Sequence, residues 1–463
     1  MRAVQKFFQR PWRLYETTIL LLAILVGFLG FFMVTAALQV EQRHDPSGVL
    51  APAMIPPLVV TCFLLFVHFL LVWRRMEIEQ VILPVVSLIF MLGLTEIWRL
   101  RGEDGAWQQI LRGFLPGMLV IALLVVRPRW VERMRRWAIP VSLLGLALPF
   151  ATALFGVVDE TGTRLALRIG SFSIQTSEVI KLALIIFLAW YIEREGEEVE
   201  GRARPIFGWL RLPAFRYFIP GLLFVSMATL ALVAMSDFGA VLTLSILFVG
   251  MLYAGFETRI FATIAAIGLF LSALVGVVLV YTWEIPTVIQ YRFLAFLDPW
   301  STAILTVNGQ STGISISQGP GYQIQQSIYA IIAGGVSGAG LGYGSPGYVP
   351  LAHSDFIFAA VLEEMGAVIG LAILILFAIL MLRILRIAML LPESQVFERL
   401  LLVGITIHLF TQVFIMVGGT LNLIPLTGVT VPFMSLGGMA LLVNLSEIGM
   451  VLAVAQRLEG PRP

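Results

Sequence analysis

Long apolar runs separated by short polar segments make up most of the chain. A membrane-spanning helix needs about 20 mostly apolar residues, and this criterion predicts about twelve spans. They lie near residues 17–39, 55–73, 81–99, 108–126, 137–157, 173–192, 216–235, 238–255, 259–281, 356–385, 400–422 and 431–456. The pattern therefore predicts an all-α polytopic membrane protein.

The composition agrees with a chain that is solvated by lipid. Of the 463 residues, 59% are hydrophobic and 13% are charged, whereas soluble domains carry about 25% charged residues. The single cysteine, Cys62, excludes a disulfide framework and a cysteine metal site. The net charge of +2 gives no indication of nucleic-acid binding. The basic N-terminus resembles a signal peptide, but no small-residue cleavage site follows, so we expect a retained first helix.

The distribution of arginine and lysine predicts the orientation of the chain. If the spans alternate, the strongly basic loops all fall on one side of the membrane, which is then the cytoplasmic side. Both termini are therefore predicted to be cytoplasmic, and the long segment 283–355 is predicted to be extracellular. This segment mixes tyrosine and tryptophan with glycine, serine and glutamine. We expect it to be ordered and to sit at the level of the lipid headgroups.

The most polar part of the extracellular segment ends at a single acidic residue, Asp355. The sequence predicts Asp355 at or next to the N-cap of a span, where aspartate stabilises a helix by about 1 kcal/mol. The helix dipole would keep the carboxyl group ionised, as a general base or a divalent-metal ligand requires. Three roles are open for the neighbouring His353: a helix cap, a stacking ring or a second metal ligand. Glu363 and Glu364 are predicted to lie about two turns deeper in the same helix.

Two charged residues lie inside another predicted span. Glu178 and Lys181 are three positions apart, so they share one helical face. They either form a structural ion pair or line an outward-open cavity that holds a polar substrate. Arg164, Arg168 and Arg292 lie on the external side, against the charge bias. Each suits a phosphate group, which guanidinium can bind through two hydrogen bonds, or a salt bridge to an acid of the same loops.

Six motifs occur in order along the chain. They are TRLALRIGSFSIQTSEVIKL, SDFGAVLTL, RFLAFLDPW, GYQIQQSIYAIIAGGVSGAGLG, AHSDFIFAAVLEEMG and NLIPLTGVTVPFMSLGGM. In order and spacing they resemble the shape, elongation, division and sporulation (SEDS) proteins of the RodA/FtsW type, over about residues 81–456. The chain departs from the family pattern at Leu165, Thr176, Leu351 and Leu436.

This resemblance implies a peptidoglycan glycosyltransferase that polymerises lipid II at the outer face of the bacterial cytoplasmic membrane. Asp355 matches the catalytic carboxylate of the family and is the predicted general base. Arg164, Arg292 and Lys181 are the predicted pyrophosphate contacts, and a divalent cation, Mg²⁺ or Mn²⁺, is a plausible cofactor. The further predicted substrate-binding residues are Glu178, Tyr322, Gln323, Gln326, Ser327 and His353. The implied partner is a class B penicillin-binding transpeptidase.

The family usually has ten spans, so the first two predicted spans are additional. We divide the chain into an N-terminal part, residues 1–80, and a SEDS-like core, residues 81–463. Two other functions are open: a flippase for a lipid-linked precursor, or a non-enzymatic scaffold for a cell-wall synthase. A transporter often carries internal repeats, and none is visible in the sequence.

Overall fold

A computed structural model describes residues 13–42, 52–157, 166–169, 172–201, 204–205, 211–212, 215–256, 260–282, 287–307 and 310–458. The predicted phosphate contact Arg164 lies outside these ranges. The helices are α1 (Leu14–Gln42), α2 (Ile55–Trp73), α3 (Ile82–Gln109), α4 (Leu115–Val126), α5 (Arg129–Arg136), α6 (Ala138–Phe155), α7 (Thr176–Gly201), α8 (Ile219–Ala234), α9 (Phe238–Gly255), α10 (Ile260–Thr282), α11 (Thr287–Leu297), α12 (Pro320–Gly334), α13 (Ile357–Leu390), α14 (Val396–Thr420) and α15 (Gly438–Leu458).

Short strands pair only as antiparallel hairpins within the described residues. They are β1 (Ala166–Ile169) with β2 (Phe172–Gln175), β3 (Arg204–Pro205) with β4 (Arg211–Leu212), and β5 (Ile304–Val307) with β6 (Gln310–Ser315). The predicted extracellular segment thus contains the helices α11 and α12 and the hairpin β5–β6. A π-helical segment, Ile110–Phe114, joins α3 to α4.

Eight helices within the described ranges are long and apolar enough to cross a membrane. Two shorter apolar helices, Ile219–Ala234 and Ile260–Leu271, accompany them. Each of the predicted spans falls on a helical segment of the structure. The chain is therefore a helical multi-pass membrane protein, as predicted, and the number of crossings stays a prediction.

The continuous helical stretch from Ile82 to Val126 folds back on itself at Gly102. Gly102 has a φ of +63°, a conformation that glycine adopts without a steric penalty. At the far end of the stretch, Arg74 donates to the carbonyl group of Val126, and residue 74 lies just before the start of α3. Both ends of the stretch therefore meet on one side, which agrees with two predicted spans in this region.

The N-terminal helices pack directly on the rest of the bundle. Gly27 and Gly30 of α1 lie against Met91 and Thr95 of α3. The hydrophobic cluster of the described residues includes members of α1 and α2 together with α3 to α9 and α13 to α15. The two helices that the sequence analysis treated as additions are thus part of the same packed core, and the boundary at residue 80 stays a prediction.

The helical stretch α13 is sharply bent at Gly366, which has a φ of +81°. After the bend, Ala367 N–H donates to the Gly335 carbonyl at 3.0 Å. Gly370 packs against Leu362 and Phe358, a contact that a straight helix could not make because these residues would lie up to about 18 Å apart along its axis. The first part of α13 is thus a short helix that turns back before the chain crosses the bundle.

This bend determines the surroundings of two acidic residues. Glu363 and Glu364 lie about two turns into α13, as predicted, but this part of the helix ends at the bend and does not continue as a straight membrane span. They lie beside the bend, where Glu363 accepts a hydrogen bond from Ser345 N–H at 2.7 Å and Glu364 accepts one from Gly342 N–H at 2.9 Å. The glycine-rich loop therefore folds over both carboxyl groups.

Replacing Gly366 by alanine should destabilise the protein by about 1–3 kcal/mol, because an L-residue is strained at this positive φ. The new Cβ would also collide with the backbone of Ser337 and Gly338. The control is Gly268→Ala on α10, where the Cβ would meet nothing within 4 Å. Thermal unfolding of both purified variants measures the effect. Equal midpoints for the two variants would contradict the bend at Gly366.

Candidate active site

Asp355 lies in the turn that precedes α13, and it is half-buried. It lies next to the N-cap of the helix, as the sequence predicted. The N-cap is Phe356, and no side chain caps the first turn. Asp355 therefore has no hydrogen bond to the helix start, and its carboxyl group is free of a capping role.

The segment between α14 and α15, residues 421–437, is here named the closing loop, and it holds this turn in place. Ser435 Oγ donates to the Ser354 carbonyl at 2.7 Å. Leu436 N–H donates to the carbonyl of His353 at 2.9 Å. The two residues that precede Asp355 are thus bonded through their backbone to the closing loop.

A buried glutamine anchors the closing loop from the other side. Gln109, at the end of α3, donates from Nε2 to the Ser435 carbonyl at 2.8 Å and accepts from Gly437 N–H at 3.0 Å. Its side chain is fully buried. Sequence reasoning missed Gln109, because it stands next to Gln108 in a polar stretch between Asp104 and Arg112 and no local pattern distinguishes it.

Because Gly428 has no side chain, the closing loop can approach Asp355 closely at this position. The φ of Gly428 is +73°, and Asp355 Oδ2 lies 3.3 Å from where a Cβ at this position would stand. Gly239, at the start of α9, lies against the Thr427 carbonyl. The closing loop therefore touches both Asp355 and the start of α9, where a second acid is located.

That second acid is Asp237, the N-cap of α9, whose carboxylate accepts from Ala240 N–H at 3.0 Å. From the sequence, Asp237 is identified only as a member of the SDFGAVLTL motif. Burial raises the pKa of Asp237, and the Ala240 hydrogen bond, Lys181 and a hydrogen bond from Ser177 lower it. Asp237 and Asp355 also interact electrostatically with each other. The structure thus assembles two carboxyl groups where the sequence predicted one.

The environment of Asp355 does not favour its charged form, contrary to the prediction from a helix dipole. Burial raises the pKa of Asp355 above its ordinary value, and the negative charge of Asp237 raises it further. A hydrogen bond from Ser354 and the positive charge of Arg292 lower it. A carboxyl group whose pKa lies closer to neutral pH is a stronger general base.

Glu178 and Lys181 form the predicted pair. Lys181 Nζ lies 2.7 Å from Glu178 Oε1, and their side chains are 2% and 8% exposed, respectively. The pair also interacts with Asp237: the positive charge of Lys181 lowers the pKa of Asp237, and the negative charge of Glu178 raises it. Within the described ranges, Glu178 Oε2 has no hydrogen-bond partner. The structure therefore shows the ion pair beside the carboxyl group of Asp237, and the outward-open cavity stays a prediction.

The predicted external cations are distributed unevenly around the site. Arg292, on α11, is half-buried and acts electrostatically on Asp355. Arg168 lies on β1 with an exposed side chain. The structure therefore brings Lys181 and Arg292 to the two acids, and it gives no position for Arg164.

The polar residues of α12 occupy different environments. Tyr322 is exposed and Gln323 is half-buried. Ser327 is fully buried and donates to the Thr420 carbonyl at 3.1 Å, so its hydroxyl group joins α12 to the end of α14, and its substrate contact stays a prediction. Gln326 lines a separate pocket together with Glu363.

The described residues contain no group of three or more His, Cys, Asp and Glu side chains that could hold a metal ion. The site does offer the carboxylates of Asp355 and Asp237, which interact electrostatically. Mg²⁺ commonly binds one or two carboxylates and completes its shell with water and substrate phosphates. The donor set therefore fits a metal that arrives with a phosphorylated substrate and does not fit a fully protein-coordinated ion.

Several known proteins are similar to this chain. The "Peptidoglycan glycosyltransferase RodA" of Mycobacterium tuberculosis is 32% identical over 439 residues, which cover 92% of this chain and 88% of the relative. The "Stage V sporulation protein E" of Bacillus subtilis is 30% identical over 384 residues, covering 82% and 95%. The "Probable peptidoglycan glycosyltransferase FtsW" of Tolumonas auensis is 32% identical over 335 residues, covering 72% and 78%.

Solved structures share the fold. A chain of a structure titled "Structural coordination of polymerization and crosslinking by a peptidoglycan synthase complex" matches with a TM-score of 0.63 at 24% identity, over 81% of this chain and 97% of that one. The rod shape determining protein RodA of Thermus thermophilus matches with a TM-score of 0.55 at 23% identity, over 82% and 97%. A family model described as cell cycle protein, FTSW_RODA_SPOVE, matches residues 74–460. The chain belongs to the FtsW/RodA/SpoVE family.

Proposed function

We propose that this protein is a peptidoglycan glycosyltransferase that polymerises lipid II into glycan strands at the outer face of the cytoplasmic membrane. The main observation behind this proposal is a cluster of charged side chains next to the closing loop. Asp355 interacts electrostatically with Asp237 and Arg292, and Asp237 interacts with Lys181. Membership of the family supports the reaction, since relatives of this chain are named peptidoglycan glycosyltransferases. A base beside two cations suits the transfer of a sugar from a pyrophosphate leaving group.

In the proposed reaction the 4-hydroxyl of the acceptor GlcNAc attacks the anomeric carbon of the donor MurNAc. A new C–O bond forms there, and the bond from this carbon to the undecaprenyl pyrophosphate oxygen breaks. The leaving group takes the electron pair, and Asp355 takes the hydroxyl proton. General-base help of this kind typically contributes about 10²–10⁴-fold to the rate.

Lys181 and Arg292 carry the positive charge that the departing pyrophosphate needs. Developing negative charge is stabilised most by cations that are already in place before the reaction. Asp355 and Asp237 would hold a bound Mg²⁺ or Mn²⁺, which would supply further neutralisation of the pyrophosphate. Arg164 is proposed as an additional phosphate contact on the basis of the motif alone.

The proposal includes a cellular location and a protein partner. The arginine bias supports a location in the inner membrane with both termini in the cytoplasm. A class B penicillin-binding transpeptidase is the proposed partner. Its support is the matching chain from a complex whose title joins polymerisation with crosslinking.

Replacing Asp355 by asparagine should lower polymerisation of labelled lipid II by about 10²–10⁴-fold, because the amide cannot accept the proton. The control is Asp104→Asn, an exposed acid near the outer end of α3. Gel analysis of glycan chains made by the purified variants measures the effect. Near-normal chain synthesis by the Asp355 variant would remove the assigned base, and a flippase or scaffold would then be the better explanation.

The pH dependence should reveal the charges around Asp355. Activity requires its carboxylate, so the rate should fall as the pH drops through its raised pKa. Arg292→Gln removes a charge that lowers this pKa, so the acid limb should move to higher pH. Asp237→Asn removes a charge that raises the pKa, so the limb should move to lower pH. Initial rates between about pH 4 and 8 test this, and shifts in the same direction would contradict the assignment.

Lys181→Ala should reduce polymerisation roughly tenfold more than Glu178→Gln, because only the lysine is proposed to meet pyrophosphate and a charged hydrogen bond contributes about 1.5–3 kcal/mol. Breaking the buried pair costs stability in either variant. Each rate is therefore normalised to the monodisperse folded fraction. Equal specific rates, with equal loss of folded protein, would assign the pair a structural role only.

A further inference from the structure

A pocket whose lining includes neither Asp237 nor Asp355 lies between α12 and the turn that contains Ser345 and Tyr348. Its empty volume is about 360 Å³, including the open mouth. Gln326, Tyr329, Tyr348 and Glu363 contribute to its walls. Only about 140 Å³ of this space can be occupied by a water-sized sphere, less than the roughly 300–1,000 Å³ of drug-sized ligand pockets, so the pocket has room only for a single small head group. It is too small for a disaccharide substrate.

Glu363 contributes a buried, only partly hydrogen-bonded carboxyl group to the wall of this pocket. Its side chain is buried, with a relative exposure of 6%. One oxygen accepts from Ser345 N–H at 2.7 Å, and the other, Oε2, has no partner in the described part of the chain. Burying an anion without a counter-ion is strongly unfavourable. A cation that enters the pocket would therefore be bound with a favourable free energy.

The nearby arginine is already engaged elsewhere. Arg99 Nε lies 3.1 Å from Glu364 Oε1, and Arg99 also donates to the Gly344 carbonyl. Glu96 interacts electrostatically with Arg99 and with both Glu363 and Glu364. The Arg99 guanidinium group is thus bonded to Glu364 and to the Gly344 carbonyl, and the structure shows no bond from it to Glu363 within the described residues.

The walls of the pocket suit an organic cation better than a metal ion. Metal-holding groups of three acidic, histidine or cysteine side chains are absent from the described residues. Tyr329 and Tyr348, which are 49% and 71% exposed, stand at the mouth. Tyrosine rings attract ammonium groups through their faces, and the Gln326 amide oxygen can accept an N–H bond.

We propose that this pocket binds a primary ammonium group presented from the outer side of the membrane, with Glu363 as its counter-ion. Ile332 of α12 and Val336, two residues after the end of this helix, are 70% and 71% exposed. An amphiphile could therefore place its head group on Glu363 and its chain on this apolar surface. A soluble amine carries the same head group without the chain. The proposal does not rest on the polymerase reaction.

The test uses the purified full chain in phosphatidylcholine nanodiscs without lipid II. N-α-acetyl-lysine amide is titrated in one arm, with sodium chloride at equal ionic strength as reference. In the other arm, ethanolamine headgroups replace part of the choline headgroups. Thermal unfolding is measured in both. Wild type should show a saturable rise in midpoint in at least one arm, and Glu363→Gln should lose it. Glu393→Gln, an exposed acid in the α13–α14 turn, should retain it.

The two arms also identify the source of the amine. A response only to ethanolamine headgroups assigns a membrane amphiphile, and a response to the lysine derivative assigns a soluble or side-chain amine. Tyr348→Ala keeps the carboxylate and should weaken the apparent affinity for the amine at least threefold. This variant keeps the test decisive if Glu363→Gln does not fold. Equal responses of wild type and Glu363→Gln, an unchanged affinity in Tyr348→Ala, or no response in either arm would overturn the proposal.

Discussion

The hydrogen bonds between the closing loop and the turn before α13 determine where Asp355 stands. Ser435 and Leu436 donate to the carbonyl groups of Ser354 and His353. Gln109 in turn holds the backbone of Ser435 and Gly437. Because these are bonds to backbone atoms, they fix the chain path directly. A carboxyl group that must meet a substrate within a few tenths of an ångström needs this kind of support.

The same loop brings opposite charges together at the proposed outer side of the bundle. Asp237 begins α9, Asp355 precedes α13, and the closing loop touches both. Lys181 and Arg292 approach from α7 and α11. Charged groups inside a membrane protein are costly unless they are paired or reached by water. Their concentration at one place is therefore better explained by function than by stability, and the proposed transfer from a pyrophosphate uses both signs of charge.

The sequence predicted the helical class, the positions of the apolar segments and the Glu178–Lys181 pair, because each depends on local pattern. It did not predict that α13 turns back at Gly366, since the apolar run continues through that glycine. The straight-helix assumption therefore did not predict the glycine-rich loop over Glu363 and Glu364. The approach of Asp237 to Asp355 depends on the path of the closing loop, and no local pattern contains that information. Motif order supplied the family and the choice of Asp355, which spacing alone left open.

Chemical labelling from one side of the membrane tests most directly whether Asp355 lies in a wet site open to the outside. Asp355→Cys and the control Ser394→Cys, in the exposed turn between α13 and α14, are made in a Cys62→Ser background, since Cys62 is exposed. Intact cells are treated with a membrane-impermeant maleimide. The account predicts labelling at position 355, protection by bound lipid II in purified protein, and no labelling at position 394. Labelling of position 355 only from the cytoplasmic side, or only after unfolding, would contradict it.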